Sequence, residues 1–96
     1  MYNAKMLRED VYAAIDTERD FQDRKWGTIE QHPHEVAGYI LLMQKLLNDA
    51  TNAWSTSSSD YPALVEIRKA LAVGVACCEQ HGTVCRSKHQ EMERMR

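Results

Sequence analysis

Between Ala63 and His81 the chain reads ALVEIRKALAVGVACCEQH, and from Ala70 to Cys78 it carries neither a charge nor a proline. Leu64, Ile67, Leu71, Val75 and Cys78 recur at three- and four-residue intervals, the period of one helix face. Ala70, Ala72, Val73, Gly74, Ala76 and Cys77 fill the other faces, so the segment is apolar nearly all round and more than one neighbour has to cover it. The spacing predicts a central helix about which the rest of the chain is arranged. A chain of 96 residues makes one domain, of a size at which roughly two-thirds or less of the unfolded surface is buried on folding. A monomer is therefore marginal, and homo-oligomerisation, at least to a dimer, is the expected remedy.

From about Lys5 to Lys25 the positions Leu7, Val11, Ala14, Ile15, Phe21 and Gln22 trace a stripe that only Glu18 interrupts, which predicts an amphipathic first helix. Trp26-Gly27 closes it, since glycine accepts the positive φ that helix ends often need. Thr28 to His34 reads as a connection, with His32 extended because it precedes Pro33. Pro33 suits the first turn of a second helix, with Glu35 near its positive end. There Val36, Tyr39 or Ile40, Met43, Leu46 or Leu47, Ala50 and Ala53 or Trp54 repeat at close to 3.5 residues, the spacing of bundle packing, out to about Trp54. Ser55 to Asp60 is a polar hairpin loop; Pro62 opens the central helix and Gly82 closes it.

The expected fold is all-α: a three-helix chain whose second and third helices form a long antiparallel hairpin, assembling into an oligomeric helical bundle. Residues 1–84 form a single helical domain and 85–96 a polar C-terminal tail. A monomeric bundle with the tail as a fourth helix is the alternative.

With 27% charged residues and a formal net charge of -2, the chain does not have the basic balance of a duplex nucleic-acid binder, nor the composition of a disordered one. No run approaches the ~18 apolar residues that span a bilayer, and the N-terminal MYNAKMLRED is charged where a signal peptide would be apolar. No membrane partner and a cytoplasmic location are expected. Three cysteines, Cys77 and Cys78 adjacent, fit reduced thiols rather than a disulfide framework, with that pair as small buried fillers.

ERDFQDRKWG at Glu18 to Gly27, HPHEVAGYILLMQKLLNDATNAW from His32 and LVEIRKALAVGVACCEQHG from Leu64 resemble a family of small phage-encoded all-helical proteins of poorly defined role. In layout these are similar to the MazG-like nucleotide pyrophosphohydrolases. The resemblance spans roughly residues 18–82, and it implies a location in the host cytosol. In MazG-like enzymes a Glu-Glu-x-x-Glu pattern on one helix and Glu-x-x-Asp on the next hold magnesium. Here Gln44, Lys45 and Asn48 stand at the first set of positions, and Glu66 and Lys69 at the second. A hard cation needs oxygen ligands and is repelled by ammonium groups. The resemblance thus implies a nucleotide binder that has lost hydrolysis, with no metal and no cofactor.

Lys45 and Lys69, together with Arg68, are suited to hold phosphate directly, although a solvated face is the usual place for a lysine. A second group, Arg19, Arg24, Lys25, Trp26, Thr28, His32 and His34, combines guanidinium and ammonium for phosphate with a flat ring for a base. Tyr12 adds a ring if a neighbouring subunit brings its first helix close. The alternative for Trp26 is a core anchor, with Arg24 and Lys25 paired to Asp20 or Asp23. Pockets between subunits would set Arg24, Lys25 and Trp26 of one chain opposite Lys45, Arg68 or Lys69 of another. Cys77, His81, Cys85 and His89 recur every four residues, but on one helix they span about 18 Å, too far for one tetrahedral zinc.

The expected function is a non-catalytic homo-oligomer that sequesters a nucleotide-type ligand; by analogy with phage sponge proteins, this would be a cyclic oligonucleotide immune signal of the host. Two rivals are a divergent magnesium-dependent pyrophosphohydrolase using Glu35, Asp49, Glu66 and Glu79, and a module that masks a host enzyme through its apolar helical face.

Overall fold

The computed structural model describes residues 5–86. Three helices form: α1 Arg8–Trp26, α2 Val36–Thr56 and α3 Tyr61–His81, with no strand among the described residues. Glu9 and Asp10 in the first turn of α1, and Arg24 and Lys25 in its last, complement the helix dipole. Gly27 ends α1 at φ 93°, its N–H donating to the Asp23 carbonyl, and Gly82 ends α3 at φ 90° with its N–H on the Cys78 carbonyl. At Gly27 a Cβ would also run into the His32 ring, so this turn has two reasons to keep glycine.

α2 begins at Val36, later than the expected start at Pro33. The residues before it are taken by a tight turn in which the N–H groups of Gln31 and His32 both donate to the Thr28 carbonyl and the Thr28 N–H donates to Gln31 Oε1. Glu35 caps α2 in an extended conformation. Pro62 does lie in the first turn of α3, as expected. The C-terminal tail beyond residue 86 lies outside the described residues.

α3 packs on both other helices, whereas α1 and α2 do not pack on one another. Along α3 the buried side chains are Ala63, Ala70, Ala72, Val73 and Ala76; Tyr39 and Ala50 are their buried counterparts on α2. Small residues let helix axes approach closely, and Gly74 continues the pattern: a Cβ there would stand 3.1 Å from Met43 Cε. The centre of the core is Tyr39, Val73 and Ala76, with Ile29, Met43, Leu46 and Cys77 packed around it. The anticipated apolar stripe of α3 is thus the wrong face: Leu64, Ile67, Leu71, Val75 and Cys78 are all exposed. Cys77 is half-buried rather than buried.

The end of α3 lies beside the start of α2. Gln80 Nε2 donates to the His34 carbonyl at 2.7 Å, and Gln80 Oε1 accepts from both the His34 N–H (3.1 Å) and the Tyr39 hydroxyl (2.8 Å). His81 Nε2 donates to the same His34 carbonyl at 2.8 Å. These bonds moor the 27–35 connection against α3.

α1 is held differently. Its buried residues are not the expected apolar ones but Glu18 and Arg19, 7% and 6% exposed, while Leu7, Val11 and Phe21 are exposed. Arg68 Nε donates to Glu18 Oε1 at 2.8 Å, and Arg19 donates through Nε to Glu79 at 2.9 Å and through Nη1 to Asp23 at 3.0 Å. Gln22 Nε2 adds a bond to the Lys69 carbonyl. Charges removed from water persist when each has its partner, so ion pairs join α1 to α3 where the sequence pattern suggested an apolar seam.

The radius of gyration, 15.5 Å, exceeds the roughly 12 Å of a compact domain of this length, because α1 and α2 stand apart on either side of α3. Ala72, on the α3 face that carries Arg68 and Glu79, is wholly covered. Ala72→Leu is expected to lower the unfolding free energy by about 1–3 kcal/mol, read from the urea midpoint, with helical content retained. An unchanged midpoint would mean that the α1–α3 contact has room to spare.

Candidate functional site

Because α1 and α2 lean on α3 without meeting, they leave a cleft of about 720 Å³ with α3 as its floor. Val73, Ala76 and Lys69 come up from α3; Phe21, Lys25 and Trp26 stand on the α1 wall; Tyr39, Leu42, Lys45 and Leu46 form the α2 wall. The connection closes one end with Thr28, Ile29, His32 and His34.

The α1 wall carries a cation set among rings. Phe21 and Lys25 are one helical turn apart, so they share a face, and Lys25 Nζ lies 5.7 Å from the Phe21 ring centre and 4.9 Å from that of Trp26. Trp26 is 66% exposed, which rules out its role as a core anchor. Asp23, with Asp20 the alternative partner for Arg24 and Lys25, binds Arg19.

Arg19 reaches into the cleft from below. Burial by itself pushes its guanidinium down, but the hydrogen bonds and charges of Glu79 and Asp23 outweigh that and hold it above its ordinary value. On α2, Lys45 is raised by its exposed 2.8 Å pairing with Asp49. Lys69 bonds Glu66 at 3.1 Å. Such part-exposed pairs exchange partners readily. Deeper in, Tyr39 stacks edge-on against His34 at 5.4 Å and His81 at 6.1 Å. Burial pushes its phenol above the usual value, so it stays a neutral donor to Gln80.

Of the residues singled out from sequence, Arg19, Lys25, Trp26, Thr28, His32, His34, Lys45 and Lys69 all line this cleft. The cations of α1 and those of α2 and α3 therefore line one cleft within a single chain. Three others do not line it. Tyr12 borders a shallow depression with Leu7, Arg8 and Glu9 at the start of α1, Arg68 is the partner of Glu18, and Arg24 is exposed outside the lining. Phe21 and Tyr39 line the cleft although their apolar period marks them as packing residues, and Leu42 lines it although it belongs to neither apolar stripe.

No group of three or more His, Cys, Asp or Glu among the described residues is placed to hold a metal ion. Three of the carboxylates a hydrolase would draw on are paired with cations, Asp49 with Lys45, Glu66 with Lys69 and Glu79 with Arg19, and Glu35, at the N-terminal boundary of α2, does not line the cleft. Cys77, Cys78 and Cys85 are free thiols, and His89 lies outside the described residues. None of the helices, among the described residues, is long and apolar enough to cross a membrane. No protein-family model matches the chain, and neither a curated protein nor a solved structure shows significant similarity to it.

Tyr39→Phe removes one of two donors to Gln80 and is expected to lower stability by about 1 kcal/mol near neutral pH. Because the folded-state phenol is raised, the wild type holds its full stability below the ordinary tyrosine value and loses it as pH rises through and beyond 10.0. Unfolding curves between pH 8 and 11 should therefore converge for wild type and variant; parallel curves would assign the alkaline loss to other groups.

Proposed function

We propose that the cleft binds a nucleotide-type ligand and keeps it intact, so that the protein is a sequestering receptor and not a hydrolase. One observation carries this: the Phe21, Lys25 and Trp26 cluster, the two cleft histidines and the Lys45 and Lys69 ammonium groups converge on one cavity. Its volume, about 720 Å³, suits a small-molecule site. Exposed rings offer stacking surface to a base, and ammonium groups that can leave Asp49 or Glu66 offer charge to phosphate. Retention without hydrolysis is supported by the side chains at the positions where MazG-like enzymes carry metal ligands. Gln44, Lys45, Asn48 and Lys69 supply no carboxylate, and Glu66 is bound to Lys69.

In this proposal the protein is a phage protein of the host cytosol whose ligand is a cyclic oligonucleotide defence signal, and binding antagonises that defence. Its α2 and α3 form an antiparallel hairpin that belongs to an oligomeric bundle.

Calorimetric titration with linear nucleotides and with cyclic di- and trinucleotides is the direct test. Lys25→Glu and Trp26→Ala are each expected to weaken binding at least tenfold, roughly 1.4 kcal/mol or more. In a Trp54→Phe background, binding should quench the remaining fluorescence of Trp26. Chromatography of the released ligand should return it unchanged. Magnesium-dependent release of pyrophosphate from a nucleoside triphosphate would replace the receptor by the hydrolase, and failure to bind any member of the panel would remove the nucleotide assignment altogether.

A further inference from the structure

α2 and α3 carry their largest apolar side chains on the outside. Ile40, Leu47 and Trp54 on α2 are 50%, 49% and 63% exposed, and Leu64, Leu71 and Val75 on α3 are 44%, 45% and 39% exposed. None of them lines the cleft. At 100° per residue, Leu71 and Val75 lie about 160–200° round α3 from Val73, which faces the cleft. Ile40 and Leu47 are turned about 140–160° from Leu42 and Lys45 on the cleft wall of α2. Both stripes therefore lie on the side of the helix pair away from the cleft. With Met43 beside Gly74 and Tyr39 bonded to Gln80, the register sets Ile40 next to Val75, Leu47 next to Leu71 and Trp54 next to Leu64, one continuous face.

We infer that this face is the contact surface for a second copy of the chain, forming a two-fold dimer with both clefts turned outward. This deepens the oligomeric part of the function proposed above and does not depend on nucleotide binding. Three observations select a second copy as the occupant. With Val36 and Ile67 at its edges, the face gathers eight large apolar residues, each 37–63% exposed, a contiguous patch of the kind that marks a protein–protein contact and not the scattered apolar residues of an ordinary monomer surface. The one charged side chain bordering the α3 stripe, Arg68, is paired with Glu18 of α1, so the apolar residues meet their own two-fold image with no unpaired charge among them, and Ile40, Leu47 and Trp54 repeat every seven residues as a bundle seam does. Among the described residues the buried apolar ones are Tyr39, Val73 and five alanines, and no large side chain is fully buried. A core so small requires cover from synthesis onward, which a copy of the same chain always supplies.

Sedimentation or light scattering of the full chain at tens of micromolar should report twice 11.1 kDa, with or without nucleotide. Leu71→Glu should give a species of half that mass, or one that loses helicity because its cover is gone. Leu42→Glu, on the cleft wall, should leave the dimer intact. In a Trp26→Phe background the emission of Trp54 should shift to the red on dilution as the dimer parts. A wild-type chain that is a folded monomer at these concentrations, a mass above two chains, or an unchanged dimer in both Leu71→Glu and Leu47→Glu would overturn the inference. A dimer that binds no nucleotide would leave this face standing and remove only the assignment of the cleft.

Discussion

Everything in this fold is referred to α3, because it is the one helix that both others touch. Its inward positions are alanines, one valine and a glycine, which allow close approach but bury little apolar surface. The two neighbours are therefore fixed by unlike means. α2 follows α3 through a narrow seam around Tyr39, Met43 and Val73, and its beginning is pinned by Gln80 and His81. α1 is fixed by Glu18 with Arg68 and by Arg19 with Glu79 and Asp23. Directional ion pairs set its position where a greasy seam would have allowed sliding.

That difference decides what the cleft can do. Arg19, the deepest cation, has its hydrogen bonds engaged in holding α1, so it contributes field and rigidity. The lysines at the rim are the groups with freedom to change partner. Lys25, placed over Phe21 and Trp26, unites a charge with stacking surface at one point of the α1 wall. Tyr39 remains protonated beneath them. The assembly has the parts of recognition, flat faces and mobile cations around a cavity. No set of carboxylates and imidazoles among the described residues is gathered for metal-assisted chemistry.

The distribution of side-chain size gives the two sides of the α2–α3 layer different characters. Most of the buried residues are small, and Ile40, Leu47, Trp54, Leu64, Leu71 and Val75 lie on the side away from the cleft. One side is concave with mixed polarity; the other is long and mainly apolar, with Arg68 at its border paired to Glu18. The proposed recognition on the first and the proposed assembly on the second are physically separable, since no residue of the apolar face lines the cavity.

Local pattern alone determined that the chain is helical, where two of its helices end at Gly27 and Gly82, and which residue types offered binding chemistry. Helical periodicity, proline and glycine act within a turn or two and are visible without a partner. Most of the site was legible in the same way: Lys25, Trp26, His32, Lys45 and Lys69 stood out as groups suited to phosphate and base. Their meeting in one cleft was not, because it follows from α1 and α2 leaning on α3 from separate sides. Nor was the choice of buried face legible. Periodicity made the Leu64, Ile67 and Leu71 stripe look like the inward one, whereas Ala70, Val73 and Ala76 allow a closer approach and took that place. The burial of Glu18 and Arg19 likewise depended on partners about fifty and sixty residues away, Arg68 and Glu79. Tertiary structure decided these points because the energy of burying a face or a charge belongs to the pair that meets, and no single segment of the chain contains both members.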